Sequence, residues 1–427
     1  MEVWFGSGRS TRSARVPGAG ERGGARRVRG RCAGGVRARE SQQLFPHYAR
    51  LRESGPPACP VVAEHTGDRL WLVTRYATAV QVLEGPRLSM AAAMASGSPR
   101  QEPVELRAPG TRGDALALLK ETGLRGVLAG GLGPRAARRH QAWIHARADA
   151  LIHDLLERRD MLDLAREFAL PLARDTASRT LLGPLDADEW EQLVRWTDLS
   201  LRFCGATAEQ QVRALTDMHR FFLAPVRHLV DAPGDHLLKA LAATPTDTGR
   251  LNDEVLAEVA GLLAVTGYPT CSGFLCGALI TLLRHPEAVM ALHRDPALVP
   301  AAGEELLRHT PLSTGAARRR ATEDVQVDGV TIKAGDVVLV SMEAVNHDPE
   351  AFEEPETLLL DRQGPAHFGF GRGLHFCPGN RPARCLIDAM VRTVARHPGL
   401  RLAVEPEGIR WHEGLFFRRP QTIPASW

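Results

Sequence analysis

Apolar residues at helical spacing dominate the chain from about residue 116 to residue 310. Segments 160–182 and 186–202 carry apolar residues three and four positions apart, which predicts that both are helical. Pro171 is expected to divide the first segment into two helices, because proline lacks an N–H and clashes with the preceding turn. The pattern therefore predicts a largely helical protein.

The longest helical pattern covers residues 252–284. Asn252 is a suitable N-cap, and Arg284-His285-Pro286 gives a basic end followed by proline. At about 1.5 Å per residue this helix would be roughly 50 Å long. A helix of that length is expected to cross the whole molecule.

Short strand patterns lie near both ends of the chain. Residues 70–74 predict a strand followed by a helix at 76–84, and residues 337–340 predict another strand. Residues 325–332 predict a hairpin with Asp-Gly at its turn, and residues 380–396 predict a final helix. The predicted fold class is therefore mainly α with small β-sheets.

The composition is that of an ordinary globular protein, with 44% hydrophobic and 24% charged residues among 427. The net charge of +3 is too weak to argue for nucleic acid as the main partner. Apolar stretches are interrupted before they reach the roughly 18 residues of a membrane span, so no membrane partner is expected. The seven cysteines include no CxxC pair, which argues against a zinc ribbon or a thioredoxin-type site.

Residues 1–39 differ from the rest of the chain. They are rich in Arg and Gly, lack periodicity and contain no apolar segment of the kind that a secretory signal needs. We interpret them as a disordered extension or as the product of a start codon assigned too far upstream. A basic tail that binds nucleic acid is the alternative. Residues 40–427 are expected to form one domain.

Candidate chemistry is concentrated in the glycine-rich segment 370–384. Gly371 and Gly379 allow turns and a close approach of backbone to a flat molecule. Cys377 precedes a predicted helix, whose N-terminus favours a thiolate, and Phe370 can shield the sulfur from water. A glycine loop around a buried, unreactive cysteine is the alternative interpretation of these residues alone.

The order of residues from Phe370 to Gly379 resembles the heme-thiolate loop of the cytochrome P-450 family, Phe-x-x-Gly-x-x-x-Cys-x-Gly. The resemblance implies heme b (iron protoporphyrin IX) as the cofactor and Cys377 as the axial thiolate ligand of its iron. It also implies that His375 binds a heme propionate and that Phe370, Gly371 and Gly379 contribute to the heme-binding loop.

Further segments match the same family, so that residues 40–427 are expected to be its catalytic domain with the triangular-prism fold. Glu305 and Arg308 match the family's Glu-x-x-Arg, which forms a buried network with an arginine of a downstream meander. The usual arginine position is not arginine here, and Arg362 is the candidate substitute. By resemblance, Arg319 and Arg125 bind heme propionates; a solvent-facing basic cluster is the alternative for Arg319.

The middle of the long helix resembles the family's oxygen-activating helix. Thr270 matches the threonine that hydrogen-bonds dioxygen and guides protons to it, and Gly267 is expected to leave space for O₂. Pro269 stands where the family usually has Asp or Glu, and it is expected to kink or open the helix. One interpretation is a kink with water carrying protons; the other is altered chemistry, in which slower protonation favours radical coupling of the substrate or a substrate-assisted proton path.

The resemblance implies oxidation of a small organic molecule, in particular a secondary metabolite, by a cytoplasmic monooxygenase. Electrons are expected from a separate ferredoxin-type partner and its reductase. Residues 86–115, predicted to be a long loop, and residues 200–235 are expected to set specificity. Two alternatives remain: an oxidative C–C or C–N coupling enzyme on the same scaffold, and a heme-binding protein without turnover.

Overall fold

The computed structural model describes residues 4–5, 49–50, 52, 55–63, 65–105, 119, 123–157, 161–246, 249–313 and 316–427. Within these ranges the chain is mainly helical with small sheets, as predicted. The labelled helices are α1 Tyr76–Glu84, α2 Met90–Met94, α3 Arg125–Gly131, α4 Pro134–Glu157, α5 Leu170–Ala177, α6 Ala187–Ser200, α7 Ala208–Leu223, α8 Val226–Asp231, α9 Leu237–Ala243, α10 Asp253–Leu283, α11 Pro286–Arg294, α12 Val299–His309, α13 Met342–Asn346 and α14 Asn380–Arg396.

The strands form a mixed sheet, a smaller sheet and a hairpin. They are β1 Trp4–Phe5, β2 Ala58–Ala63, β3 Arg69–Val73, β4 Leu88–Ser89, β5 Leu162–Asp163, β6 Ala317–Ala321, β7 Val325–Val327, β8 Val330–Ile332, β9 Val337–Val340, β10 Arg401–Leu402 and β11 Pro424–Ser426. The mixed sheet has the order β1-β2-β3-β9-β6-β4, the smaller one β10-β11-β5, and β7 pairs with β8. Apart from β1, the predicted N-terminal extension lies outside the described residues.

Helix α10 runs through the centre of the helical part and contacts α5, α6, α7, α8, α9, α11 and α14. The Asn252 side chain accepts a hydrogen bond from the Val255 N–H at 3.0 Å, as its predicted N-cap role requires. The helix is continuous from Asp253 to Leu283 with Pro269 inside it. It is long and apolar enough to cross a membrane, but 72% of its most apolar window is buried in the protein, as in the core helix of a globular fold.

Several predicted elements have the predicted bounds. Helices α1 and α14 cover residues 76–84 and 380–396, as the pattern indicated. The hairpin turn lies at Asp328 and Gly329, whose φ angles are +49° and +80°. Positive φ at both central residues is the conformation that an Asp-Gly hairpin turn needs.

Two predictions about local structure were wrong. Residues 165–182 remain helical throughout, because π-helical turns at Ala165–Ala169 and Ser178–Leu182 flank α5 and Pro171 lies at its first positions, where an N–H is not needed. The segment 86–115 is not a loop throughout: Leu88–Ser89 pairs with β6 and is followed by α2. Residues 106–115 lie outside the described residues.

Candidate functional site

Backbone hydrogen bonds form turns in the cysteine loop, residues 368–379, before α14 begins. The Gly371 N–H donates to the Phe368 carbonyl at 2.8 Å, and the Cys377 N–H donates to the Phe370 carbonyl at 2.9 Å. Gly373 has φ +73°, and a Cβ there would lie 2.5 Å from the Leu83 carbonyl oxygen, so only glycine fits. These turns hold Cys377 at the N-terminal end of α14.

The surroundings of Cys377 have opposing effects on the pKa of its thiol. Burial raises the pKa of the Cys377 thiol, while the Gly379 N–H, which donates to the sulfur, and the nearby Arg384 act in the opposite direction. A Cβ at position 379 would lie 3.8 Å from the sulfur. The sulfur is therefore a mostly buried soft donor, and binding to a metal ion would remove its proton.

The carboxylate of Glu304, a residue of α12, binds two side chains next to the cysteine loop. Arg384 donates to both Glu304 oxygens at 2.6 and 2.8 Å, and its guanidinium lies 4.6 Å from the centre of the Phe370 ring. His367 accepts from the Gly369 N–H at Nδ1, so its Nε2 carries the proton and donates to Glu304 at 3.1 Å. Burial would raise the pKa of Glu304, but these hydrogen bonds outweigh it and lower the pKa to about 2.

The centre of α10 lies beside the cysteine loop. Burial raises the pKa of the Cys271 thiol to about 12, and the neighbouring Cys377 sulfur acts in the same direction. Thr270, the preceding residue, is half-buried, and its hydroxyl donates to the Thr266 carbonyl at 2.6 Å. The structure thus brings together two motifs that are more than 100 residues apart in the sequence.

Gly267 has a different environment from the one expected. A Cβ at this position would lie 2.4 Å from the Leu181 Cδ1 atom. The space over Gly267 is therefore filled by the π-helical turn that precedes Gly183, and the glycine allows these two helical segments to approach closely.

The three consecutive arginines of β6 have different partners. Arg318 pairs with the buried carboxylate of Glu102 at 2.7 Å, whereas Arg320 donates to the Gly335 carbonyl. Arg319 is 4% exposed and donates to the Arg318 carbonyl, with no carboxylate partner among the described residues. Burial lowers the pKa of the Arg319 guanidinium. A buried cation of this kind is a site for an external anion.

The other predicted anion-binding residues are exposed. Arg125 begins α3, and His375 ends the short turn Gly373–His375 next to the cysteine. Arg372, which precedes this turn, pairs with Glu84 at 2.7 Å.

The predicted buried network is present. Arg308 donates to the two Glu305 carboxylate oxygens at 2.7 Å each, and the Arg362 Nε donates to the same oxygens at 3.0 and 3.1 Å. Burial would raise the pKa of Glu305, but the hydrogen bonds from these arginines and from the Leu359 N–H lower it. Arg362 therefore takes the place of the missing meander arginine, as predicted.

A cavity of about 220 Å³ lies beside this region. Phe274 of α10, Leu312, Phe416 and Phe417 give it an apolar wall. The Glu343 carboxylate, which also lines it, accepts from the Ser313 N–H and hydroxyl at 3.0 Å each, and burial raises its pKa. Arg308, Thr310, Ser313, Asn346 and His347 also line it, so the cavity combines an apolar wall with several polar groups.

Glu304, Glu343 and the Glu102–Arg318 pair were not predicted from the sequence. Each depends on a contact between residues at least 30 positions apart, and no local spacing marks it.

The residues present fit a heme. One soft sulfur donor stands at a helix N-terminus, glycines leave room for a flat ring, and the buried Arg319 guanidinium matches a propionate. Phe370 is 9% exposed and adds an apolar surface beside the sulfur.

The chain is similar to a family model and to several known proteins. A family model described as cytochrome P-450 matches residues 190–397. The nocardicin C N-oxygenase of Nocardia uniformis subsp. tsuyamanensis is 35% identical over 393 residues, which are 90% of this chain and 96% of that protein. Mycocyclosin synthase of Mycobacterium tuberculosis is 32% identical over 372 residues, 85% of this chain and 91% of that protein.

Solved structures give the same result. The crystal structure of a cytochrome P-450 with biaryl coupling reactivity superposes with a TM-score of 0.82 at 28% identity, covering 92% of this chain and 99% of that chain.

The chain belongs to the cytochrome P-450 family and is similar to its bacterial members. It has the fold of that family, as predicted, with heme b as its cofactor. It is an oxidoreductase that acts as a heme-dependent monooxygenase on a small organic molecule. Like bacterial members of the family, it works with redox partners.

Proposed function

We propose that Cys377 is the axial ligand of the heme iron and that this protein oxidises a secondary metabolite in the cytoplasm, with electrons from a ferredoxin-type protein and its reductase. The observation that carries the proposal is the position of Cys377 at the start of α14, with the Gly379 N–H on its sulfur and the Thr270 turn of α10 alongside. Residues 40–427 form the catalytic domain in this proposal, and residues 1–39 are an extension that adds only the two-residue strand β1 to its mixed sheet.

Each site residue has a physical task. Phe370 shields the Cys377 sulfur from water, and Gly371 and Gly379 shape the loop around it. Arg319 neutralises one propionate inside the protein, while Arg125 and His375 bind propionate oxygens at the exposed edge. Bound heme supplies the redox chemistry that activates O₂ and splits the O–O bond.

On α10, Thr270 presents hydroxyl lone pairs, because its proton is donated to the Thr266 carbonyl. It can therefore accept a hydrogen bond from a water or a co-substrate in the site. Gly267 acts by permitting the close helix packing. Pro269, which is buried, contributes no acid, so position 269 offers no carboxylate for proton delivery.

The reaction is a monooxygenation: the substrate C–H or N–H, O₂, two electrons and two protons give a hydroxylated product and water. The test supplies the heme-loaded protein with a ferredoxin, a ferredoxin reductase, NADPH and ¹⁸O₂, and measures product mass. One ¹⁸O atom in the product supports the proposal. Failure to consume electrons with any member of a panel of candidate substrates would favour heme binding without turnover.

Oxidative coupling is the second candidate, because mycocyclosin synthase and a structure with biaryl coupling reactivity are among the similar proteins. In that reaction two substrate hydrogens, O₂, two electrons and two protons give a new C–C or C–N bond and two waters. A product lighter by two hydrogens and without ¹⁸O would assign this function instead.

A further inference from the structure

The cavity that Phe274, Phe416 and Phe417 line has an acidic residue in its wall. Glu343, the second residue of α13, lines the cavity and is only 6% exposed. The cavity has a volume of about 220 Å³. Since an apolar cavity of about 150 Å³ in another protein holds benzene, this space accommodates an aromatic ring with a short side chain.

The carboxylate of Glu343 has hydrogen-bonding capacity left over. The Ser313 N–H and the Ser313 hydroxyl both donate to Glu343 Oε1, at 3.0 Å each. The backbone N–H of Glu343 also donates to the carboxylate. No side chain in the described part of the chain donates to Oε2. Because a carboxylate offers about four lone-pair sites, Glu343 can accept from a ligand while it holds the Ser313 loop.

Glu343 is a buried acid that forms no ion pair with any described residue. Burial raises its pKa, and the charge of Arg418, which does not line the cavity, offsets this only in part. Within the cavity wall, the Arg308 guanidinium donates to both Glu305 oxygens at 2.7 Å. Burial lowers the pKa of His347 well below its ordinary value, so this ring is neutral at neutral pH. A cation brought by a ligand would supply the missing opposite charge.

We propose that this cavity binds a small organic cation, whose ammonium group donates to Glu343 and whose apolar part packs against Phe274, Phe416 and Phe417. Ammonium groups make charge-assisted hydrogen bonds to carboxylates, and aromatic rings provide the apolar contact. Gly369 of the cysteine loop also lines the cavity. The cation therefore belongs either to the substrate or to a second molecule beside it, and only the first case rests on the proposed function.

The test measures the binding of 2-phenylethylamine, which is protonated at neutral pH, and of its neutral counterpart 2-phenylethanol. Equilibrium dialysis is carried out with the reduced, carbon monoxide-bound protein, because carbon monoxide occupies the iron and keeps the amine from coordinating it. Glu343→Gln removes the charge and keeps an oxygen for the Ser313 donors. Glu209→Gln, an exposed position in the first turn of α7, is the matched control.

The wild type is expected to bind the amine roughly tenfold or more tightly than the alcohol, the order expected for one charge-assisted hydrogen bond. Glu343→Gln should lose this preference, and Glu209→Gln should keep it. Phe416→Trp, which narrows the cavity and leaves the carboxylate in place, should weaken the binding of both compounds. If Glu343→Gln does not load heme, the wild type and Phe416→Trp decide the question.

Equal affinity of the wild type for the two compounds, or a preference for the amine that persists in Glu343→Gln, would overturn the cation site. Failure of the proposed function is a different result, in which the wild type lacks the red-shifted carbon monoxide band of a thiolate-ligated heme. Once binding is established, incubation with ferredoxin, reductase, NADPH and ¹⁸O₂ identifies the kind of ligand. An ¹⁸O-labelled amine product assigns the site to the substrate, and unchanged amine assigns it to a second molecule.

Discussion

Arg319 is a buried cation whose partner is a heme propionate in our account. Without heme, its guanidinium is desolvated and has no carboxylate partner among the described residues, which lowers its pKa. An unpaired buried charge destabilises the protein that carries it. The same residue should therefore have opposite effects on the heme-free and heme-bound forms.

We expect Arg319→Met to leave the heme-free protein as stable as the wild type or more stable. Heme transfer to apomyoglobin should become roughly tenfold faster or more, because a charge-assisted hydrogen bond to a propionate is lost. Arg320→Met, on the opposite face of β6, is the control and should change heme transfer little. Unchanged heme transfer in Arg319→Met would show that Arg319 does not bind the cofactor.

Glu304 contacts Arg384 and His367 next to the cysteine loop, and its ionisation makes the stability of the protein depend on pH. Its pKa lies at about 2, below the ordinary 4.5, because Arg384 and His367 bind the ionised form. A depressed carboxyl pKa stabilises the folded state fully above pH 4.5, and this contribution disappears as the pH falls towards 2.

The stability difference between wild type and Glu304→Gln should therefore be constant at neutral pH and shrink below pH 4.5. Urea unfolding at a series of pH values measures this difference. A difference that is equally large at the acid end of the series would contradict the ionised state assigned to Glu304.

At the scale of elements, the Glu305 carboxylate joins α12 to the meander that contains Arg362. The side chains of Glu305 and Arg308 are 2% exposed and that of Arg362 is 7% exposed. Arg308 also donates to the Asn346 carbonyl and the Pro355 carbonyl. One carboxylate therefore fixes a helix and the segment that leads to the cysteine loop.

Arg362→Met removes the Nε donor that the two oxygens of this carboxylate share, and also the donors to three meander carbonyls. We expect a loss of about 2–4 kcal/mol in the free energy of unfolding, measured by denaturant titration. Arg195→Met, which breaks an exposed pair with Glu191, should cost less than about 0.5 kcal/mol. Similar losses in the two variants would show that Arg362 is not part of a buried network.

For the molecule as a whole, local signals gave accurate helix ends and turns. The N-cap at Asn252, the bounds of α14 and the Asp328-Gly329 turn all depend on residues within a few positions of each other. The family resemblance, carried by the order of residues around Cys377, supplied the fold and the cofactor.

Features that depend on distant contacts could not be predicted. The two-residue strand β4 exists because β6 pairs with it, and the Leu181 side chain packs against Gly267. Glu304 braces the loop through Arg384, which is 80 residues away in the sequence. Periodicity and spacing carry no information about such pairs.

The most direct test of the account is the difference spectrum of the reduced, carbon monoxide-bound protein. The wild type and Cys271→Ala, which changes the neighbouring cysteine, are expected to show the strongly red-shifted band of a thiolate-ligated heme, and Cys377→Ala is expected to lack it. A red-shifted band that persists in Cys377→Ala, or its absence from the heme-loaded wild type, would contradict the assignment of Cys377 as the iron ligand.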